Sequence, residues 1–588
     1  MSGRRWLNIS LAQFCLIEQL LPDGPKHPFA RKMLAHFQKL NSPLKSVNRY
    51  PILSDQEVRF RAANYETAYA RSLWQVWNDT DFVDASTRLS VLTREPFDEW
   101  EDVILFAHHY ALVEAWNGRK VERHEDRYGL RGGSTHRDPS HRALLSSFTL
   151  QASKVPDPAA FRRHGTLWEM EHGIVAQHGG LGKEGRLDTT NLYQLDDCLS
   201  QPKDTISASK TPRLCHTITS FYPKSALLVG GRTSPDNALA DCWIFSGNAW
   251  RTADTLPKPL YRHGAVNVSV NSSPGVLIFG GRHAREKISE GWYLWSATKG
   301  WDLLGTSVVR PAARFSPTLV ALSDSQGLLF GGLRADCTIC FDLWEWTLVE
   351  DVGRPFLVFK DLSGIEDFQK QRELVCRVGA CAVRNQSRIL ISGGVANRVF
   401  PPQEDILEVS FDLKMEHFHV QPLFLIQETE RMPLVGHSMV KAAHSIAIIG
   451  GGVTCFSFGS LWNDHSYILK RVETVELPFT RDGNVGKDAP AIPSHQHLTK
   501  AASNSREGVT REHKLLPGTN PEIPRTRITK ANEFDLKVQE SRPFVLEGLD
   551  IGSCVEEWSL HALRTKVGID REVCGCHLTS LDIAHTSR

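Results

Sequence analysis

Ala226-Leu227-Leu228-Val229-Gly230-Gly231 and Val276-Leu277-Ile278-Phe279-Gly280-Gly281 carry the decisive pattern, a short apolar run that stops on a glycine pair. Outward from these two, glycine pairs stand at 179/180, 230/231, 280/281, 331/332, 393/394 and 450/451, with successive first glycines 51, 50, 51, 62 and 57 residues apart. Strands closed by a diglycine at a period of roughly 50 residues are the pattern of kelch-type propeller blades. In the first four repeats an aromatic residue, Tyr193, Trp243, Trp292 or Trp344, follows the second glycine by 11 to 13 positions. Repeats two and three add Trp250 and Trp301. Glycine lets the backbone turn tightly beside neighbouring strands, and the aromatics wedge between adjacent sheets. Leu407 and Trp462 sit only loosely in register in the last two repeats. The expectation is an all-β propeller over 160–475 with about six blades; a seventh, drawn from flanking strands, also fits.

The 588 residues are too many for one core. A hydrophobic share of 41% and a charged share of 23% are those of a folded chain, and a net charge of +1 announces no general nucleic-acid binder. The longest apolar runs fall short of a membrane span, and the first residues do not make a signal peptide. The 12 cysteines are scattered, which fits reduced thiols and a cytoplasmic location.

Residues 1–118 read as mixed α/β. Pro28 opens a helix with Phe29, Met33, Leu34 and Phe37 on one face. Ser54-Asp55-Gln56-Glu57 has capping-box form, and 96–106 reads as a third helix, acidic in its first turn. His109–Val113 reads as a strand, with alternation burying one of His108 and His109. Residues 119–159 read as a linker, 480–530 as a disordered linker, and 534–588 as a further segment that is periodic up to Val573.

An arginine recurs 16 to 18 residues before the first glycine of a pair: Arg163, Arg213, Arg262, Arg314 and Arg377, with Leu434 in the sixth repeat. Equivalent positions share one face of a propeller. These five are therefore candidate substrate-binding residues, a funnel for phosphates or carboxylates. Alternatively, each arginine hydrogen-bonds carbonyls of the neighbouring blade.

In the first segment, Phe14-Cys15-Leu16-Ile17-Glu18-Gln19, Pro22-Asp23-Gly24-Pro25, His27-Pro28-Phe29, Tyr50-Pro51, Leu73-Trp74, the run from Glu95 to Glu101 and Phe106-Ala107-His108-His109-Tyr110 follow in order. With the propeller appended and its opening His178-Gly179-Gly180-Leu181-Gly182, the set resembles the wybutosine-synthesizing branch of the leucine carboxyl methyltransferase family. Arg542-Pro543-Phe544, Gly548–Gly552 and Lys566–Arg571 resemble the start of a JmjC-like, cupin-type domain.

The resemblance implies a mixed architecture: the C-terminal half of a Rossmann-like methyltransferase domain in 1–118, the propeller, and an incomplete JmjC-like segment. It implies S-adenosylmethionine-dependent methylation and methoxycarbonylation in the last steps of wybutosine synthesis. The partner it implies is the anticodon region of phenylalanine tRNA. The donor's glycine-rich turn and ribose-binding acid have no match in 1–118. The resemblance therefore implies a chain truncated at both ends and inactive in methyl transfer, whose half sheet leaves an unpaired edge and an uncovered core. Glu18 is the pocket candidate within this segment, placed by the resemblance at the end of a helix lining the cleft. A non-catalytic propeller that binds an acidic protein or RNA partner is the alternative.

The remaining motifs carry little chemistry. Cys337-Thr338-Ile339-Cys340 is a lone pair that strand alternation points to opposite faces, and Cys574-Gly575-Cys576-His577 lies in a tail without structural signal. His577 is followed by Leu578 and Thr579, so the His-x-Asp/Glu pair of an iron oxygenase is missing and no metal is expected. The run Asp98-Glu99-Trp100-Glu101-Asp102 fits a helix N-terminus better than a catalytic carboxylate pair.

Overall fold

Apolar strands ending in diglycines build six antiparallel sheets in the computed structural model. It describes residues 12–94, 98–117, 148–171, 173–195, 205–207, 211–283, 287–351, 353–401, 404–412, 417–423, 433–455, 459–471, 524–527, 533 and 545–547. The chain divides into two units, 1–478 and 479–588.

Each blade is a meander of four strands. The first runs Thr166–Glu171, Ile174–His178, Thr189–Gln194 and Thr205–Ser207; the third runs Gly264–Val270, Ser273–Phe279, Trp292–Ser296 and Gly300–Leu303. The fourth blade gains a fifth strand, Gly305–Thr306, parallel to Arg354–Asp361. In the sixth, His437–Ala442, Ser445–Gly450 and His465–Arg471 are completed by Phe148–Lys154, a strand from ahead of the first blade. Residues 148–154, expected to be linker, therefore belong to the propeller and seal its ring.

The ring also closes along its inner edge. The second glycine of each pair donates its N–H to one equivalent carbonyl in the next blade: Gly180 to Arg213, Gly231 to Leu260, Gly281 to Arg314, Gly332 to Arg377, Gly394 to Leu434, and Gly451 back to Arg162, all at 2.8–2.9 Å. Gly281 shows why the residue is glycine: its φ is +84°, and a Cβ there would stand 2.6 Å from the Tyr261 carbonyl oxygen.

The aromatic positions hold. Trp292 pairs with Phe279 and Trp344 with Leu329 in the sheet registers. In blade six the corresponding partner of Ile448 is Tyr467, not Trp462. A hairpin of Gly452–Cys455 and Gly459–Trp462 is inserted there, which displaces the third strand along the sequence.

The first segment contains β1 (Ala12–Gln19), α1 (Pro28–Lys39), α2 (Leu53–Ala62), β2 (Thr67–Ser72), α3 (Leu73–Asn78), α4 (Ala85–Arg94), α5 (Trp100–His108) and β3 (Tyr110–Asn117). The sheet order is β1-β3-β2 and both pairings are antiparallel. The described part is therefore a three-stranded sheet in which β1 and β2 flank the oppositely running β3. Ser54 lies inside α2, whose cap is Ile52; the capping box forms instead at Ser72 with Gln75, opening α3. Helix α5 extends to His108 with His109 as its C-cap, and both imidazoles are buried rather than one. Their acceptors are the Ala396 and Leu105 carbonyls, at 3.0 and 2.8 Å.

The core of this segment is not left open. Phe29, Met33, Trp74, Trp100, Ile104 and Leu105 share one buried cluster with Phe315, Leu333, Val378, Val395, Val435 and Val453 of the propeller. Helices whose apolar faces lack a second layer find one on the propeller mouth.

In the second unit, Arg525–Arg527 pairs in parallel with Val545–Glu547, so residues expected at the end of the disordered linker form a strand. The remainder of the expected 480–530 linker, most of the JmjC-like segment and the Cys574–His577 motif lie outside the described residues. Among the described residues no helix is long and apolar enough to cross a membrane.

Candidate functional site: the propeller mouth and its acidic plug

The five recurring arginines divide into two groups. Ring register explains the division: the equivalent positions, fixed by the diglycine hydrogen bonds, are Arg162, Arg213, Leu260, Arg314, Arg377 and Leu434. Arg163 and Arg262 stand one and two places further along, so their side chains leave the blade in other directions.

Arg213, Arg314 and Arg377 are fully buried within their own blades. Arg213 donates to the Gly230 carbonyl and to Asp241, both at 2.9 Å. Arg314 grips both oxygens of Asp342 at 2.7 and 2.6 Å and reaches the Gly331 carbonyl. Arg377 donates to the carbonyls of Gly393, Asp405 and Glu404 at 2.9, 3.0 and 2.7 Å. Arg162 does the same in blade one, toward Gly179, Thr189 and Asn191. Each clamps a diglycine turn to the start of the third strand. Asp241 and Asp342 also accept from the indoles of Trp243 and Trp344, which couples the arginine to the recurring aromatic.

Arg163 and Arg262 instead point into the mouth, joined there by Arg232 and Arg282, which the recurring pattern did not include. The run at 98–102 meets them. Arg163 holds both oxygens of Asp102 at 2.9 and 2.7 Å, and the Thr454 N–H donates to the same carboxylate at 2.9 Å. Arg262 donates to Asp98 at 2.8 Å, to Glu101 at 2.5 Å and to Ser316 at 3.0 Å. Arg232 pairs with Asp98 at 2.8 Å and Glu99 at 3.3 Å, and Arg282 approaches Asp98 at 3.6 Å. Four guanidiniums thus face four carboxylates. The first turn of α5 would otherwise bring its positive dipole end against four cations, and the acidic residues offset both.

The electrostatics follow burial and partners. Burial opposes ionisation of Asp98, but Arg262, Arg232 and Arg282 outweigh it and hold its carboxyl below the usual range. Arg262 is likewise disfavoured by burial, and Asp98 with Glu101 raises it well above the ordinary arginine value. Backbone geometry helps: Arg262 has φ 56°, as do its ring equivalents His164 at 56°, Cys215 at 57° and Ser316 at 50°. Successive N–H groups bond the preceding carbonyl, Cys215 to His164, Arg262 to Cys215 and Ser316 to Arg262, at 2.8–3.0 Å. The five arginines therefore do not form one open funnel: three hold blades together and two anchor the first segment.

Glu18 lies on β1, a strand rather than a helix end, and accepts from Arg59 at 2.8 Å. Cys337 and Cys340 are both buried, because neither lies on a regular strand where alternation applies. Among the described residues no three His, Cys, Asp or Glu side chains gather as a metal site. The acidic run was visible in the sequence as a helix start. Its role as a ligand of the propeller required knowing which arginines escape the blade register.

The family model described as tRNA wybutosine-synthesizing protein 4, beta-propeller, matches residues 210–465. Proteins named tRNA wybutosine-synthesizing protein 4 are similar over nearly the whole chain. The one from Aspergillus oryzae is 35% identical over 96% of this chain and 55% of its own length, and that from Aspergillus fumigatus 34% over 96% and 53%. The Saccharomyces cerevisiae protein is 29% identical over 77% of this chain and 63% of its own. The chain spans about half the length of the filamentous-fungal relatives it matches. By sequence, this chain is a relative of the proteins named tRNA wybutosine-synthesizing protein 4, and the residues that the β-propeller family model matches make up blades two to five and part of blade six of its ring.

Proposed function

We propose that this chain acts in wybutosine synthesis on tRNA and that the mouth side of the propeller, with segment 12–117 locked onto it, holds the anticodon region of phenylalanine tRNA. The observation that carries this reading is the shared core and the buried ion-pair layer between that segment and the blades. A module hung on a linker recognises a partner independently. One fused to its neighbour through a common core presents a bound substrate at a fixed place, as catalysis by orientation requires.

In this reading the reaction is methylation of the side-chain carboxylate of the hypermodified guanosine and completion of its methoxycarbonyl group, and S-adenosylmethionine supplies the methyl group. The described residues do not fit that donor. The passage from β1 to α1 carries one glycine, Gly24, between Pro22 and Pro25, and a Cβ there would meet open space rather than a close-lying ligand cradle. The alternative of an acidic protein partner at the arginine mouth is disfavoured, because residues 98–102 of the chain itself occupy those arginines.

Fluorescence anisotropy with labelled phenylalanine tRNA tests the proposal. Binding that weakens steeply with salt and discriminates against an unrelated tRNA is expected. Equal affinity for both tRNAs, or none at low salt, would overturn it.

A further inference from the structure

A cleft of about 400 Å³ opens at the rim of the third blade, lined among others by Lys258, His283, Ile288, Glu290, Tyr293 and Arg310. Ligand pockets run from roughly 300 to 1,000 Å³, so one nucleotide is of the right size. Lys258 lies in the connection entering the blade, His283 and Ile288 in the loop between its second and third strands, and Arg310 in the connection leaving it. All three connections lie on the mouth side. Arg282, next to His283, reaches Asp98, and Ile288 packs against the core shared with the first segment.

The cleft combines two chemistries. Lys258 and Arg310, which both line the cleft, are exposed cations, and the half-buried His283 lies between them in the lining. Glu290, a lining carboxylate, meets Arg310 at 3.5 Å with both side chains at least half exposed, a contact that water screens. Beside these charges stands apolar surface: Leu303, 66% exposed, lines the cleft together with the more deeply set Leu304 and Tyr293. An unpaired nucleotide has the same two parts, an anionic backbone and a flat base with an apolar face.

We infer that this cleft holds one unpaired nucleotide of an RNA, its base against Leu303, Leu304 and Tyr293 and its flanking phosphates on Lys258 and Arg310. The inference rests on the tRNA reading above and names where on the propeller the backbone is gripped. An acidic peptide would use the cations but leave the apolar wall unfilled.

The test is tRNA binding by the full chain carrying Lys258→Glu and Arg310→Glu, both exposed and outside the core. Lys299→Glu, in the turn at the other end of the blade, is the control. The double reversal should weaken binding by about tenfold or more and reduce the slope of log affinity against log salt by about 1.4, two single-strand phosphate contacts, while the control stays within about twofold. Unchanged affinity and slope in the double reversal would overturn the cleft and leave the proposed function standing. Failure of the unaltered chain to bind tRNA would overturn both. Displacement of the tRNA by polyglutamate as readily as by oligouridylate would also overturn the cleft assignment, since it would mean that charge alone is recognised.

Discussion

Arg262 and Asp98, 164 positions apart, are joined twice: the arginine Nε donates to the Asp98 carboxylate and a terminal nitrogen donates to the Asp98 carbonyl, each at 2.8 Å. Asp98 is wholly buried and Arg262 nearly so. Such a pair adds little stability relative to apolar residues, yet it is severe in its demand for a partner. It fixes which part of the first segment enters the mouth, because any other register would strand four guanidiniums without counter-charge.

Asp98→Ala should therefore cost about 3–5 kcal/mol, the usual penalty for leaving a buried charge unpaired. Asp98→Asn should recover only part of this, since an amide cannot neutralise Arg232 and Arg262. Urea unfolding followed by tryptophan fluorescence reads the loss. A cost below about 1 kcal/mol would show that water reaches the arginines and that the layer is not a buried network.

Arg314 tests the other group. Its two bonds to Asp342 and its contact with the Gly331 carbonyl need a planar fork, so Arg314→Lys should destabilise almost as much as Arg314→Ala, by about 3 kcal/mol. Because no part of it is exposed, the folded variant should bind tRNA with an unchanged salt slope. A slope reduced by about 0.7 or more would restore Arg314 as a phosphate contact.

The propeller was legible because its signal repeats. A diglycine recurring six times, mostly after an apolar run, marks the second strands, and the aromatic a dozen residues later marks the third in four blades. Strand β4 was not legible: Phe148–Lys154 lies outside the repeat and gains its pattern only from pairing with His465–Arg471. The arginine site was half legible. Spacing alone could not separate Arg163 from Arg162, or Arg262 from Leu260, and a step of one or two residues decides whether a guanidinium closes its own blade or enters the mouth. Arg232 and Arg282 follow the second glycine directly in two repeats, a signal open to a reader who also looked downstream of the pair.

Acid should destabilise the chain in a definite window. Burial lowers His27, His108 and His437 to about 4, and His178 and His263 to about 3. These values lie below the unfolded histidine value of about 6.5, so protonation favours the unfolded state. The stability is complete above about pH 6.5 and falls as pH drops toward 4, by up to about 1.4 kcal/mol per pH unit for each histidine. Asp23, raised to about 6 by burial and Glu404, works in the opposite sense with a single proton. Thermal melts should be flat from about pH 7 to 8 and drop steeply between about 6 and 4.5; a constant Tm down to about pH 5 would contradict the neutral burial of these rings.

The cysteines predict a labelling order. Cys15 is exposed, whereas Cys337 and Cys340 are almost wholly buried and burial pushes both thiols up. The thiolate is the reactive form, so an alkylating agent at neutral pH should modify Cys15 first among the described cysteines. Cys337 and Cys340 should react only on unfolding. Their early modification, or their protection by added zinc, would point to an open CxxC site instead.

Blade closure by β4 gives the sharpest contrast between a strand and a linker. Leu150 is 7% exposed, pairs with Leu469 and lies in the apolar cluster of Leu390, Ile446 and Ile448. Lys154 ends the same strand in solvent. Leu150→Ala should lose about 2–4 kcal/mol through lost burial and a cavity, because the surrounding blade cannot collapse around a ring already closed by hydrogen bonds. Lys154→Ala should stay within about 0.5 kcal/mol. If 148–154 merely passed over the surface as a linker, the two substitutions would be equally silent, and the sixth blade would expose the edge of His465–Arg471 for association with other chains. Denaturation midpoints of the two variants, measured with light scattering to detect such association, decide between a sealed ring and an open one.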